Sequence, residues 1–218
     1  VGSIGLTGPT GATGAQGLQG SVGSVGLAGP SGGVPACAAP NAYVELVQGA
    51  FTCQQRFNLN GDGTLTDNQT GLMWQVITSA CQGQSTCNTN TYTWSSGDNN
   101  PDGTLYTSFL VSALDVNVSA NGTATCFANH CDWRIPNIGE LQTIIETSAP
   151  GCNTPGGACI DPAFGPAAGA YWSSTSDSGN PGNAWGVNFN DGSVASISDT
   201  GSYSAIAVRG RSVSLNAQ

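Results

Sequence analysis

The sequence predicts an α+β head, cross-linked by disulfides, at the end of a collagen-like triple-helical stalk. Three observations carry this reading. A glycine stands at every third position from Gly2 to Gly32 without a miss. Eight cysteines are spread over the remainder of the chain. Behind the stalk, two stretches with helical apolar spacing precede a run of short strand-like segments, and helices followed by strands form the pattern of an α+β domain.

Only glycine fits at the crowded axis of a collagen triple helix, so strict Gly-X-Y periodicity is its mark. A flexible glycine-rich linker is the alternative, but a linker has no reason to hold the register. A triple helix needs three chains, which predicts a homotrimer. The chain divides into a stalk over 1–33, a short neck over 34–52 and a globular head over 53–218. The stalk carries no charge, and Pro9 and Pro30 are its only imino acids. So lean a triple helix is weak, and the heads are expected to supply much of the trimerisation free energy. At full length the stalk would reach roughly 90 Å. In the neck, Ala42–Val47 is too short for a coiled coil and predicts a strand or a single helical turn.

The formal charge is −9, lysine is absent, and the strong bases are Arg56, Arg134, Arg209 and Arg211. Such a surface does not attract nucleic acid, heparin or anionic lipid by charge. No apolar run approaches the length of a membrane span. No signal peptide is visible, and the chain opens inside the triplet array, as a processed or trimmed form would. An even set of spaced cysteines suits an oxidising, extracellular compartment. Cys81–Cys87, Cys126–Cys131 and Cys152–Cys159 lie close in sequence and are expected to clip local loops, leaving Cys37–Cys53 to tie neck to head. Zinc would want tighter cysteine clusters or histidine partners. Only Cys126 and Cys131 approach such a spacing, and His130 is the sole histidine.

Arg56–Asn60 and Thr64–Thr66 flank Gly61-Asp62-Gly63, which predicts a hairpin. Thr70–Val76 reads as a strand, and Ser79–Pro101 as a long polar loop. Tyr106–Val118 has helical apolar spacing. A second helix is expected after Pro136. There Asn137 and Glu140 make a capping box, Ile138, Leu141, Ile144 and Ile145 share one face, and Pro150-Gly151 marks the end. Ala170–Thr175, Ala184–Phe189 and Val194–Ile197 read as strands, with Asn190-Asp191-Gly192 turning between the last two. Ala205–Arg209 is expected to be a final strand.

Asp67-x-x-Thr70-Gly71-Leu72-Met73-Trp74, Cys126-Phe127, Asp132-Trp133-Arg134-Ile135-Pro136-Asn137 with Glu140-Leu141, Ile160-Asp161-Pro162, Tyr171-Trp172-Ser173-Ser174-Thr175, Ala184-Trp185-Gly186-Val187-x-Phe189 and Ala207-Val208-Arg209-Gly210 follow one another in that order. The series resembles the C-terminal domain family of the Legionella collagen-like protein, from about Gly61 to Gly210. The resemblance implies a C-type-lectin-like fold. It also implies a bacterial surface or secreted adhesin that acts in attachment, aggregation and biofilm through a glycan or matrix ligand. Family members often end with two arginines; here Ile206 stands at the first position and Arg209 at the second. The missing lysines argue against a sulfated ligand.

Trp133 is expected in the core, with Asp132 and Arg134 fixing the turn before the second helix. Trp74, Trp172 and Trp185 are also expected in the core. Trp94 and Tyr92 lie in the polar loop and are read as an exposed stacking surface for a glycan. Asn99, Asn100 and Asp102 resemble the loops with which C-type lectins hold calcium and sugar, although the usual Glu-Pro-Asn or Gln-Pro-Asp triplet is absent. Asn58, Asn60, Asp62 and Asp67 place oxygen ligands at calcium-loop spacing, while a Gly-Asp-Gly hairpin explains the same letters. No cofactor is otherwise expected. His130 would be the base of any nucleophilic triad, yet it sits between Asn129 and Cys131, so the chain reads as a non-enzyme. A structural subunit of an extracellular filament, sheath or biofilm matrix is the alternative, in which the uncharged stalk packs against neighbours.

Overall fold

The computed structural model describes residues 37, 42–48, 50–79, 87–114, 126–165 and 167–211. The expected stalk over 1–33 lies outside the described residues, as do Cys81 of the expected Cys81–Cys87 pair and residues 115–118 of the expected first helix.

In chain order the strands are β1 (Ala42–Val47), β2 (Ala50–Gln55), β3 (Phe57–Leu59), β4 (Thr64–Asp67), β5 (Leu72–Gln75), β6 (Tyr92–Thr93), β7 (Ala170–Ser176), β8 (Asn183–Asn188), β9 (Ser193–Ser198), β10 (Ser202–Tyr203) and β11 (Val208–Arg209). A π-helix over Leu105–Ala113 and one α-helix, α1 (Ile138–Thr143), lie between β6 and β7. The described part is therefore mostly β. β3, β4 and β5 form an antiparallel meander that β11 joins, in the order β11-β5-β4-β3. β7, β8 and β9 make a second antiparallel sheet. β1 pairs with β2, and β10 with β6.

The side-chain period of two explains how these sheets are buried. Tyr171 and Trp172 are neighbours on β7, both 0% exposed, and point into different cores. Tyr171 joins Leu65, Trp74, Leu141, Phe164 and Val187. Trp172 joins Trp94, Leu105, Phe109, Trp133 and Ala207. Ile206 and Ala207 divide in the same way. Strands buried on both faces read as short apolar runs instead of clean alternation.

The second expected helix forms, and its capping box is complete. Asn137 Oδ1 accepts from the Glu140 amide at 2.8 Å, and Glu140 Oε2 accepts from the Asn137 amide at 2.9 Å. The helix ends at Thr143, however, and Pro150-Gly151 does not terminate it; Ile144 and Ile145 pack on the core from the turn that follows. The first helix is wound wider than an α-helix, with the Leu114 amide donating to the Phe109 carbonyl. This i→i+5 spacing brings Leu105, Phe109 and Leu114, all 0% exposed, onto one buried face. The expected strand over Ala205–Arg209 is paired only at Val208 and Arg209. Before it the chain changes partner, from β6 to β5, and the Ala207 amide meets the Gln75 side chain at 3.1 Å.

Disulfides join Cys37–Cys53, Cys126–Cys131 and Cys152–Cys159, as the spacings predict. Three of the four arginines are held in ion pairs. Arg56 grips Asp67 at 2.9 and 3.0 Å and also donates to the Thr143 carbonyl at the end of α1. Arg134 grips Glu140 with two bonds of 2.7 Å. Arg209 grips Asp132 at 2.7 and 3.2 Å. Thus Arg134 and Asp132 do flank a core tryptophan, since Trp133 is 2% exposed.

Candidate functional site

The polar loop does not present the surface expected of it. Trp94 is 3% exposed. Its indole nitrogen donates to the Ser173 carbonyl at 3.0 Å, and its ring meets Tyr106 edge to face. It cannot stack on a ligand, contrary to the exposure expected of a polar loop. Tyr92 is half-buried on β6, where its carbonyl accepts from the Trp172 indole at 2.6 Å. Sequence neighbours of Trp94 are polar because the loop crosses the surface, while the ring itself turns inward.

Asn99, Asn100 and Asp102 are exposed. Asp98 holds Asn100: its carboxylate accepts from the Asn100 amide at 3.1 Å and from the Asn100 side chain at 2.8 Å. Asp102 accepts from Ser96 through backbone and hydroxyl. The Asn99 side chain reaches Gly182 in the β7–β8 turn, where a Cβ would come within 3.2 Å of its oxygen.

The calcium-spaced residues are used by their own hairpin. Gly61 and Gly63 both take positive φ, +83° and +88°, which closes the turn. Asp62 Oδ1 accepts from the Thr64 amide and hydroxyl at 3.0 and 2.6 Å. Asn60 bonds Thr64 and Thr66. Asn58 is exposed, whereas Asp67 is buried opposite Phe57 and neutralised by Arg56. The structure does not turn these four toward a common centre. Among the described residues no group of three or more His, Cys, Asp or Glu side chains is placed to hold a metal.

The tryptophan that is only partly buried is one expected in the core. Trp74, Trp94, Trp133 and Trp172 are all at most 3% exposed, but Trp185 on β8 is half-buried. Along its face of the sheet, Val187 is buried with α1, and Trp185 and Asn183 continue outward. Ser196 lies opposite Trp185 on β9. Its hydroxyl donates to Asp177 Oδ2 at 2.6 Å and accepts from the Asn183 side chain at 3.0 Å. Asn180 also donates to Asp177, at 2.8 Å. An aromatic ring thus stands beside a fixed set of amides, a hydroxyl and a carboxylate, with the Asn99 loop against the same turn.

Hydrogen bonds from Asn180 and Ser196 hold the Asp177 carboxyl below the ordinary aspartate range, and those from Asn100 do the same for Asp98. In both cases the folded pKa lies below the unfolded one. Their stabilisation is therefore complete above the unfolded value and is lost as pH falls through the folded value. Thermal melts should hold steady near neutrality and decline in acid, and Asp177→Asn should flatten part of that decline. An acid limb unchanged in the variant would contradict this assignment.

A separate cleft of about 290 Å³ lies among Gln55, Glu146, Ser148, Ala149, Asp161 and Pro162. Its two carboxylates are committed locally: Glu146 accepts from Ser148, and Asp161 accepts from the Ala163 amide at 2.7 Å.

The family model of the Lcl C-terminal domain matches residues 63–209, which takes in β4 to β11, the π-helix and α1. The chain belongs to the Lcl C-terminal domain family. No curated protein matches it. Membership of the Lcl C-terminal domain family points to a collagen-like surface protein. The disulfides of the chain, with Cys126–Cys131 and Cys152–Cys159 inside the matched domain, fit an extracellular or surface location. No helix among the described residues is long and apolar enough to cross a membrane.

Proposed function

We propose that this chain is an extracellular bacterial adhesin: a homotrimer whose collagen stalk carries lectin-like heads that bind a glycan in attachment, aggregation or biofilm. The observation that carries the reading is the Trp185 face. Carbohydrate offers an apolar C–H surface to an aromatic ring and hydroxyls to amides and carboxylates, and Trp185 with Asn183, Ser196 and Asp177 supplies both. Three of the four arginines are occupied by partners, and Asp98 and Asp177 stay ionised, so the preferred ligand is hydroxyl-rich and not anionic. The head acts as a binding module without catalysis, and the reading requires no resident metal.

The test is a glycan array on the full-length protein, with and without calcium, repeated on Trp185→Ala. Neutral glycans should bind, and the variant should lose about tenfold or more in affinity, an effect of ~1.4 kcal/mol. Its melting temperature should change little, because the ring is only half-buried. Undiminished binding by the variant would overturn the site. A blank array would shift the reading to a structural subunit of a filament, sheath or biofilm matrix, which the uncharged stalk favours.

A further inference from the structure

The β1–β2 hairpin stands apart from the rest of the head. Neither core cluster includes any of its residues. Its base is tied down by Asn68, whose side chain donates to the Gln55 carbonyl at 2.9 Å and whose carbonyl accepts from the Tyr43 hydroxyl at 3.4 Å. Toward the tip, Leu46 is 55% and Val47 39% exposed. The pairing register puts Val44 and Leu46 on one face with Cys53 and Phe51 opposite them. An isolated two-stranded hairpin is marginal in water and needs further strands or a packed face. Among the described residues, Cys37 meets this apolar face through its disulfide to Cys53, and neither core cluster covers it.

We propose that this face is the contact through which three copies of the chain meet. The occupant follows from what precedes it. The glycine repeat ends at Gly32, and Cys37, five residues later, is disulfide-bonded to Cys53 of β2. Five residues span at most about 18 Å. A triple helix delivers three chains side by side, so the three Cys37 residues lie within about that reach of its end, and each carries its hairpin across one disulfide of 5.6 Å between Cα atoms. Leu46, Phe51 and Val44 from each chain then close on one another. Glu45 is the hairpin's only charge, and it lies on the other face, opposite Thr52, so the approach brings no like charges together on the contact face. The contact locks the end of a stalk that is poor in imino acid.

The inference rests on the trimeric reading above, and the experiment separates the two. Full-length protein is measured by light scattering for mass and by circular dichroism for the collagen signal, alongside Leu46→Asp/Phe51→Asp. The native chain should be a trimer with a collagen signal. The variant should fall about threefold in mass, or its stalk should melt at a distinctly lower temperature. A trimer of unchanged mass and stalk melting in the variant overturns the hairpin contact while leaving the trimer intact. A monomeric native chain overturns both. Leu46→Cys gives a second readout independent of the charged variant's folding. It should form interchain disulfide dimers under mild oxidation, whereas Leu59→Cys, which is 64% exposed but outside the hairpin, should not. Equal cross-linking by the two counts against the contact.

Discussion

Arg134→Ala should destabilise the head by about 3–5 kcal/mol, because it leaves a buried carboxylate without its partner. Glu140 is fully buried, whereas the Arg134 side chain keeps 30% exposure. Glu140 also accepts from the Asn137 amide, so the same carboxylate both caps α1 and anchors Arg134. Arg134 in turn bridges to Val208 through its backbone, with amide–carbonyl distances of 2.9 Å in both directions. One pair therefore fixes the start of α1 against the last strand. Denaturant unfolding checks the size of the loss. Glu140→Gln keeps the shape and part of the capping and should lose less. The double variant Arg134→Ala/Glu140→Ala should be less destabilised than the sum of the singles, as contacting residues are not additive. Additive losses would show that the two side chains act independently.

Trp172→Ala should cost a similar 3–5 kcal/mol, the usual range for truncating a large buried aromatic. The residue is 0% exposed, packs edge to face on Tyr203 with ring centres 5.1 Å apart, and donates to the Tyr92 carbonyl at 2.6 Å. Removing it opens a cavity in the core shared by the π-helix and the β7 sheet, and strips a partner from β6. For a domain of this size the melting temperature should fall by on the order of 10 °C. Trp172→Phe restores most of the volume without the indole N–H, so it should recover more than half of the loss. A melting temperature within about 2 °C of the native value in Trp172→Ala would place the residue outside the cooperative core.

These two residues show where sequence reasoning reaches. Glu140 as a cap was legible, because a capping box is a contact between positions three apart. That Glu140 also neutralises Arg134 was not, since nothing in the spacing turns the guanidinium back toward the helix. Trp172 was legible as core, but the core it enters was not. Trp94, expected on the surface, is buried, and Trp185, expected in the core, is only partly buried, for the same reason. Trp94 sits among Thr93, Ser95 and Ser96, and Trp185 among Ala184, Gly186 and Val187, so flanking composition points away from the burial each one has. Trp94 is buried by partners far along the chain, Ser173 among them, while Trp185 lies on a part of the β8 face that stays half-exposed. Of the face proposed to bind a glycan, only the Asn99 loop was anticipated; Asp177, Asn180, Asn183 and Ser196 meet only once three strands are paired.

The sequence by itself determined the features set by short range: the two glycine-bearing turns, the capped α1, the clipped loops of Cys126–Cys131 and Cys152–Cys159, and the ordered motifs of the family. Each depends on backbone geometry or on residues a few positions apart, which local composition specifies. The tertiary structure alone decided which tryptophan is only partly buried, where the last segment changes sheets, and which hairpin face, among the described residues, lies outside both core clusters. Burial and pairing of that kind are set by residues distant in sequence, and one step along a strand turns a side chain from one core to another.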